Sequence, residues 1–373
     1  MSEVRIIFAG GGTGGHFYPA LAIARALEKA LAPRVCQIRF VGSRRGIEYR
    51  QRETLGYPLE LMNIRGLARS LSLRNLLFPF VLMGALIKSN SLLSSFQPHL
   101  VVGTGGYVSG PIVQRAVARG IPSAIQEQNS YPGLTTRHLA GKVDRVYLGF
   151  ADAIKRLPQD SPVMTTGNPV RQEIGHGSAQ AAHEMFDLNP DKKTILILGG
   201  SQGASSINGA VLSGLSDLDE STQLLWQAGS LEYEALKEKA GSHPAVRLFA
   251  FTDRIADAYA VADLAICRAG ALTVAELKAS GVPALLVPYP QATANHQLMN
   301  ARSVESRGAA VVIEDDQLAG EEILKLAGSI LKSTRGQQMT QSLERWNREA
   351  PNSATDVIVA DLIRLLEEKG NYV

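Results

Sequence analysis

A chain of 373 residues is too long for one compact core and predicts two domains. With 45% hydrophobic and 20% charged residues, it is neither a disordered chain nor a bundle of membrane spans. Its formal net charge of +3 leaves no electrostatic argument for nucleic acid as a partner.

The opening "MSEVRIIFAG" lacks the basic, apolar and small-residue order of a secretory leader and is expected to run straight into a first strand. Beyond it, short apolar runs alternate with helical patterns. The predicted strands of the first half are "VRIIFAG", "CQIRFVG", "HLVVGTG", "PSAIQEQ" and "RVYLGF". Those of the second half are "KTILILGG", "TQLLWQAG", "VRLFAF", "ADLAICRAG", "PALLVPY" and "AAVVIED". Unalternated runs of Val, Ile and Leu suit parallel strands buried on both faces, and strand–helix repetition gives doubly wound α/β layers. The periodicity breaks at "TTGNPVR", residues 165–171, and "TILILGGSQGASSINGAV" then repeats the opening order of strand, glycine loop and helix. The expected division is a first Rossmann-like domain over 1–166 and a second over 167–350. An amphipathic helix in 351–373 follows, with a return to the first domain as one option. Cys36 and Cys267, far apart in apolar runs, read as reduced core thiols of a cytoplasmic protein.

One run raises a membrane question. "LLFPFVLMGALI", residues 76–87, carries no charge and is bracketed by Arg65, Arg69, Arg74 and Lys88. A span needs ~20 apolar residues, so this segment cannot cross a bilayer. Two readings stay open: a helix lying on the membrane surface, with Leu77, Phe80 and Val81 dipping into it, or a buried core helix.

Three glycine loops follow strands and open helices. Residues 10–15 read G-G-G-T-G-G, so Gly10, Gly12 and Gly15 satisfy the dinucleotide fingerprint in its strand–turn–helix setting. Backbone N–H groups at a helix start attract any phosphate, and a dinucleotide site usually adds an acidic residue at the end of the second strand. Here that strand ends in Ser43, Arg44 and Arg45, which weakens NAD more than NADP. "GTGGYVSGP" (103–111) and "GGSQGASSIN" (199–208) repeat the device, and three such loops at the carboxyl ends of parallel strands suit a ligand with several phosphate or sugar contacts.

The most specific stretch is "CRAGALTVAELKASGVPALLVPYPQATANHQLMNA", residues 267–301. Gly270 gives a tight exit from a strand, and Ala271, Leu272 and Thr273 open a helix whose N–H groups can face a diphosphate. Glu276, one turn in, has the chemistry to hold two ribose hydroxyls, although a carboxylate there also fits plain interaction with the helix dipole. Asn295, His296 and Gln297 supply polar groups able to read sugar hydroxyls.

"GGTGGHFYPALAIA", "GTGGYVSGP", "EQNSYPGLT", "GNPVR", "GGSQGA" and the stretch from Arg268 to Asn300 stand in the order of the MurG family of peptidoglycan glycosyltransferases, which the chain resembles over essentially its whole length. The resemblance implies a GT-B fold, two Rossmann-like doubly wound parallel-sheet domains facing a cleft. It implies transfer of N-acetylglucosamine from UDP-GlcNAc to undecaprenyl-pyrophosphoryl-MurNAc-pentapeptide (lipid I), giving lipid II, at the cytoplasmic face of the cell membrane. Proteins of cell-wall synthesis are the further partners it implies. Carried over by motif, Thr13, Gly14, Gly15 and Asn129 would meet the donor from the first domain, and Tyr107 would lie near the acceptor pyrophosphate. Arg171, Ser201, Gln202 and Arg268 would approach diphosphate or sugar. Thr252 would stand where backbone meets uracil, Glu276 would take the ribose and Gln297 the N-acetylglucosamine. The chain departs from relatives at Gln126, Thr136 and His296.

Within that reading His16 is a candidate general base for the C4 hydroxyl of the muramyl sugar, because it opens the helix after the first glycine loop and histidine exchanges protons near neutrality. Glu127 is the competing candidate. Direct displacement inverts the anomeric centre. No Asp-x-Asp motif lies in a suitable loop, so no obligatory metal and no cofactor are expected. The alternatives are an NADP-dependent oxidoreductase, a non-catalytic sugar-nucleotide binder, and a GT-B transferase with another acceptor.

Overall fold

The computed structural model describes residues 3–64, 78–200, 203–318, 322–349 and 353–370. The chain forms two compact units, Met1–Arg171 with Asn352–Val373, and Gln172–Pro351.

The first unit runs β1 (Val4–Gly10), α1 (Gly14–Leu31), β2 (Cys36–Gly42), α2 (Ile47–Arg50), β3 (Leu59–Leu61), α3 (Phe78–Phe96), β4 (Leu100–Gly105), α4 (Gly106–Ala118), β5 (Ser123–Glu127), α5 (Leu134–Leu139), β6 (Arg145–Leu148) and β7 (Val163–Thr165). Its described strands form one parallel sheet in the order β3-β2-β1-β4-β5-β6-β7. The five predicted strands are all present. The two unforeseen ones, β3 and β7, are three-residue edge strands whose partly exposed residues lack a long apolar run.

The C-terminal helix, Ala354–Glu368, belongs to this unit. Ile358, Leu362, Leu365 and Leu366 are fully buried in one cluster with Ile6, Phe8, Phe17, Ile23 and Leu27. Each such side chain contributes about 1.5–3 kcal/mol by leaving water. Asp361 accepts bonds from Arg145 Nε (3.0 Å) and Tyr147 Oη (2.9 Å), which fixes the helix's rotation. Burial, with Asp361 alongside, pushes the Tyr147 phenol far above its ordinary range, so it stays a donor.

The second unit runs α6 (Ala179–Phe186), β8 (Lys193–Leu198), α7 (Ser205–Ser213), β9 (Thr222–Gln227), α8 (Tyr233–Ala240), β10 (Val246–Phe249), α9 (Ile255–Ala260), β11 (Leu264–Cys267), α10 (Ala271–Ser280), β12 (Ala284–Leu286), α11 (His296–Glu305), β13 (Ala310–Val312), α12 (Glu322–Lys332) and α13 (Thr334–Glu349). Its parallel sheet has the order β10-β9-β8-β11-β12-β13, so β8 occupies the place that β1 holds in the first unit. Both sheets are doubly wound, and in each the glycine loops follow the carboxyl ends of central strands, where such sheets bind ligands. Of the two thiols expected in the core, Cys267 is fully buried and Cys36, first residue of β2, is half-buried at the edge of the core; burial raises Cys36 to about 11 and Cys267 to about 12, each helped by a glutamate, Glu28 and Glu276 respectively.

Helix α3 has two faces. Ala85, Ser89, Leu92, Leu93 and Phe96 are buried, whereas Phe80, Met83 and Ile87, on the opposite stripe, are 75%, 57% and 62% exposed. Val81 is half-buried. Residues 65–77, Leu77 included, lie outside the described residues. No helix among the described residues is long and apolar enough to cross a membrane.

Candidate active site

In the first unit the site is built around the β1–α1 loop. Thr13 stands before α1 in an extended conformation and gives no side-chain cap, and the first turn contains no acidic residue. The first N–H groups of a helix have no intrahelical acceptor, so this uncapped end is electropositive. His16 lies in that first turn and is half-buried. Thr104, at the end of β4, grips it twice: Thr104 Oγ1 donates to the His16 carbonyl (2.8 Å), and the Thr104 carbonyl lies 3.1 Å from His16 Nδ1. Gln128 Oε1 lies 2.8 Å from the same nitrogen.

The glycines here clear space for protein side chains. A methyl group at Gly10 would strike Thr104 Oγ1, and one at Gly11 would strike the Glu48 carboxylate. One at Gly105 would lie 2.5 Å from His16 Nδ1. Gly105 also sits at φ 103°, ψ −173°, a region open essentially to glycine alone. Glu48 is fully buried and accepts from Gly12 N (2.8 Å), Ser43 N (2.7 Å) and Ser43 Oγ (3.2 Å). Sequence reasoning looked for an acid at the end of β2 and did not assign one to Glu48. Its carboxylate turns inward to brace the loop and is closed to a ribose, which removes the dinucleotide reading of this fingerprint.

Glu127 ends β5 and is 4% exposed. Its oxygens accept from Asn129 N (3.1 Å), Asn129 Nδ2 (3.3 Å), Gly133 N (2.9 Å) and Thr136 Oγ1 (2.6 Å). Four donors occupy the roughly four acceptor sites of a carboxylate. The side chain thus fixes the loop that carries Asn129, and Thr136 is one of its partners. Arg171 lies over the Tyr18 ring at 5.7 Å, and Tyr107, in the first turn of α4, is 60% exposed.

In the second unit the central feature is the β11–α10 junction. Gly270 precedes α10 with no side-chain cap, and no acidic residue lies in the first turn formed by Ala271, Leu272 and Thr273. Glu276 is half-buried and accepts from the buried Tyr259 Oη at 3.1 Å. Gln297 Oε1 accepts from Tyr289 N (2.9 Å) at the start of α11, directly after Ala294 and Asn295, two non-glycine residues held in left-handed backbone. Thr252 Oγ1 accepts from Arg254 N (3.0 Å) just before α9. Arg268 is a strut: its guanidinium donates to Ser206 Oγ (2.8 Å), the carbonyls of Val287 (3.2 Å) and Pro288 (3.3 Å) and Asp315, and lies 5.5 Å from the Tyr289 ring. It ties the starts of α7 and the post-β11 loop to the exits of β12 and β13. Ser201 and Gln202 lie outside the described residues.

Comparison with known proteins fits both halves of this arrangement. The glycosyltransferase family 28 N-terminal domain matches residues 6–148, and the family 28 C-terminal domain matches residues 194–357. A Salinibacter ruber protein named UDP-N-acetylglucosamine--N-acetylmuramyl-(pentapeptide) pyrophosphoryl-undecaprenol N-acetylglucosamine transferase is 40% identical over 97% of this chain and 97% of its own length. The chain belongs to glycosyltransferase family 28.

A family 28 relative of the same name from Chlorobaculum parvum is 42% identical over 87% of this chain and 91% of its own. Among solved structures, Acinetobacter baumannii MurG superposes with a TM-score of 0.75 at 28% identity, covering 97% of this chain and 99% of that one. The first domain carries Thr13, Gly14, Gly15 and His16 at the start of α1, and Glu127 and Asn129 at the end of β5 and in the loop after it, next to Gln128, which faces His16. The second brings together Ala271, Leu272, Thr273 and Glu276 on α10.

Proposed function

We propose that the chain transfers N-acetylglucosamine from UDP-N-acetylglucosamine to the C4 hydroxyl of the muramyl sugar of lipid I, forming lipid II with inversion at the anomeric carbon. Relatives of that name 40% and 42% identical to this chain support the substrates. The observation that carries the chemistry is the seat of His16. Both groups facing its Nδ1, the Thr104 carbonyl and Gln128 Oε1, only accept, so Nδ1 bears the proton and Nε2 holds the lone pair. Nε2 has no hydrogen-bond partner among the described residues. It takes the C4 hydroxyl proton as that oxygen bonds to the anomeric carbon. The bond from that carbon to the β-phosphate oxygen breaks, and its electron pair leaves with UDP. Negative charge grows on the leaving group, for which the uncapped start of α10 supplies oriented N–H dipoles. Glu276 holds the ribose and Gln297 the sugar. Glu127 positions the Asn129 loop, because its own lone pairs are occupied.

The acceptor is a membrane lipid, and the exposed stripe Phe80, Met83 and Ile87 on α3 is the face that rests on the cytoplasmic side of the membrane. Two measurements test the proposal. Purified protein should release UDP from UDP-GlcNAc, ahead of other sugar nucleotides, and only when a lipid I analogue is present. Release that ignores the acceptor, or none at all, overturns the assignment. Binding to anionic vesicles should fall at least tenfold when Phe80→Asp and Met83→Asp are combined, with the melting temperature unchanged. Unaltered vesicle binding removes the membrane face.

A further inference from the structure

We infer that three buried carboxamides, those of Gln126, Gln128 and Asn168, form a proton-position lock for His16, in which Gln128 acts as the positioning residue. The inference rests on the reading of His16 as the base for its consequence, but not for its existence.

The argument starts from the Gln128 amide, 2% exposed. Its Nε2 faces the carbonyl oxygens of Thr104 (2.8 Å) and Gln126 (3.0 Å), together with Gln126 Oε1. Two backbone carbonyls can only accept, so that end of the amide must be the NH2 group. The other end, Oε1, is therefore the one that lies 2.8 Å from His16 Nδ1. An amide oxygen cannot donate, so the imidazole must. The orientation of Gln128 is itself enforced. Gln126, fully buried, accepts from Gln128 through Oε1 and donates through Nε2 to Asn168 Oδ1 (2.9 Å). Asn168, 8% exposed, donates through Nδ2 back to the Gln128 carbonyl (2.9 Å). The three amides close a ring in which reversing any one sets donor against donor or acceptor against acceptor, at a cost of the order of a lost buried hydrogen bond per mismatch.

Together with the Thr104 carbonyl, the ring excludes one state of the neutral imidazole, that with the proton on Nε2, which could not accept a proton at that nitrogen. Amides do not titrate in the range where proteins fold, so the lock holds across that range without adding a charge beside the base. A carboxylate in the same place would also hold the ring but would stabilise the imidazolium. The chain uses orientation alone. The residues come from three separate places, the end of β5, the loop after it and the segment following β7. Gln128 and Asn168 stand in the motifs "EQNSYPGLT" and "GNPVR", but that separation is why neither motif announced their pairing with each other or with His16.

The test separates the lock from the base. With 15N-labelled histidine, and His16→Gln to assign its signal among the seven histidines, neutral His16 in the intact protein should show Nδ1 in the protonated range and Nε2 in the unprotonated range. The opposite pattern overturns the proposal with no variant needed. Gln128→Met keeps the volume and removes the nearer of the two acceptors facing Nδ1, leaving the Thr104 carbonyl at 3.1 Å, and should shift His16 to a mixture of tautomers and lower kcat about tenfold, with KM for UDP-GlcNAc within twofold. Gln128→Glu restores an acceptor to Nδ1 and should recover the Nδ1–H signature. An unchanged tautomer and unchanged kcat in Gln128→Met overturn the role of Gln128. Full activity of His16→Gln would instead sink the base assignment, leaving the tautomer pattern to stand or fall by its own spectrum.

Discussion

The two units repeat one plan, a parallel sheet with a glycine loop after its first central strand, yet the groups that close on those glycines differ. In the first unit the missing side chains are replaced by the protein's own: Thr104 fills the space at Gly10, Glu48 that at Gly11 and the His16 ring that at Gly105. In the second, backbone closes on Gly199 and Gly203 (Ala204 N at 2.9 Å and the Ala228 carbonyl at 2.6 Å), whereas no described residue lies within 4 Å of a methyl at Gly200 and the nearest atom to one at Gly270 is Thr273 Oγ1 at 3.4 Å. The first unit's loop is packed so that a histidine is held in one orientation. The second unit's helix end is left open. A glycine loop is thus a statement about close approach, and which group approaches is a tertiary matter.

Substitutions can break or sharpen that contrast. The largest effect is expected from His16→Ala, which should lower kcat by about 10²–10⁴-fold while KM for UDP-GlcNAc moves little, read by UDP release. A small loss would detach the packed loop from catalysis. Gly105→Ala comes next. Its backbone region and the Nδ1 contact both oppose a methyl group, so stability should fall by about 1–3 kcal/mol and kcat by tens of fold through displacement of the ring, measured by denaturation and turnover. Glu276→Gln should cost about tenfold in kcat/KM, carried by KM for the donor, since it removes a charged acceptor from the open end without touching His16. The smallest change belongs to Gly270→Ala, at φ −62° and ψ 141°, a conformation any residue adopts. Its stability should shift by less than about 0.5 kcal/mol. A loss comparable to that at Gly105 would mean that the two loops are not different after all.

Much of the fold could be read in advance for a simple reason. Central parallel strands are buried on both faces, so "IIFAG", "LVVG" and "LAIC" appear as unbroken apolar runs, and the helix following each glycine loop announces itself by period. β3 and β7 escaped because edge strands of three half-exposed residues carry no such signature. The apolar run at 76–87 was legible as a helix, but not as one with a buried and an exposed face, because both faces are apolar and periodicity cannot separate them.

The site was legible in its residue types and not in its partners. The sequence by itself determined the paired doubly wound sheets, the glycine loops at strand ends, and the placement of His16 in the first turn of its helix and of Glu276 one turn into its own, because all of these are local patterns. Only the tertiary structure decided that Glu48 braces the first loop, that Glu127 spends its lone pairs on its own loop, that Arg268 is a strut, and that Gln128 faces His16. Those roles depend on which donor meets which acceptor, within one loop for Glu127 and across elements tens of residues apart for Glu48, Arg268 and Gln128, and hydrogen-bond direction is fixed by three-dimensional neighbours, not by spacing along the chain.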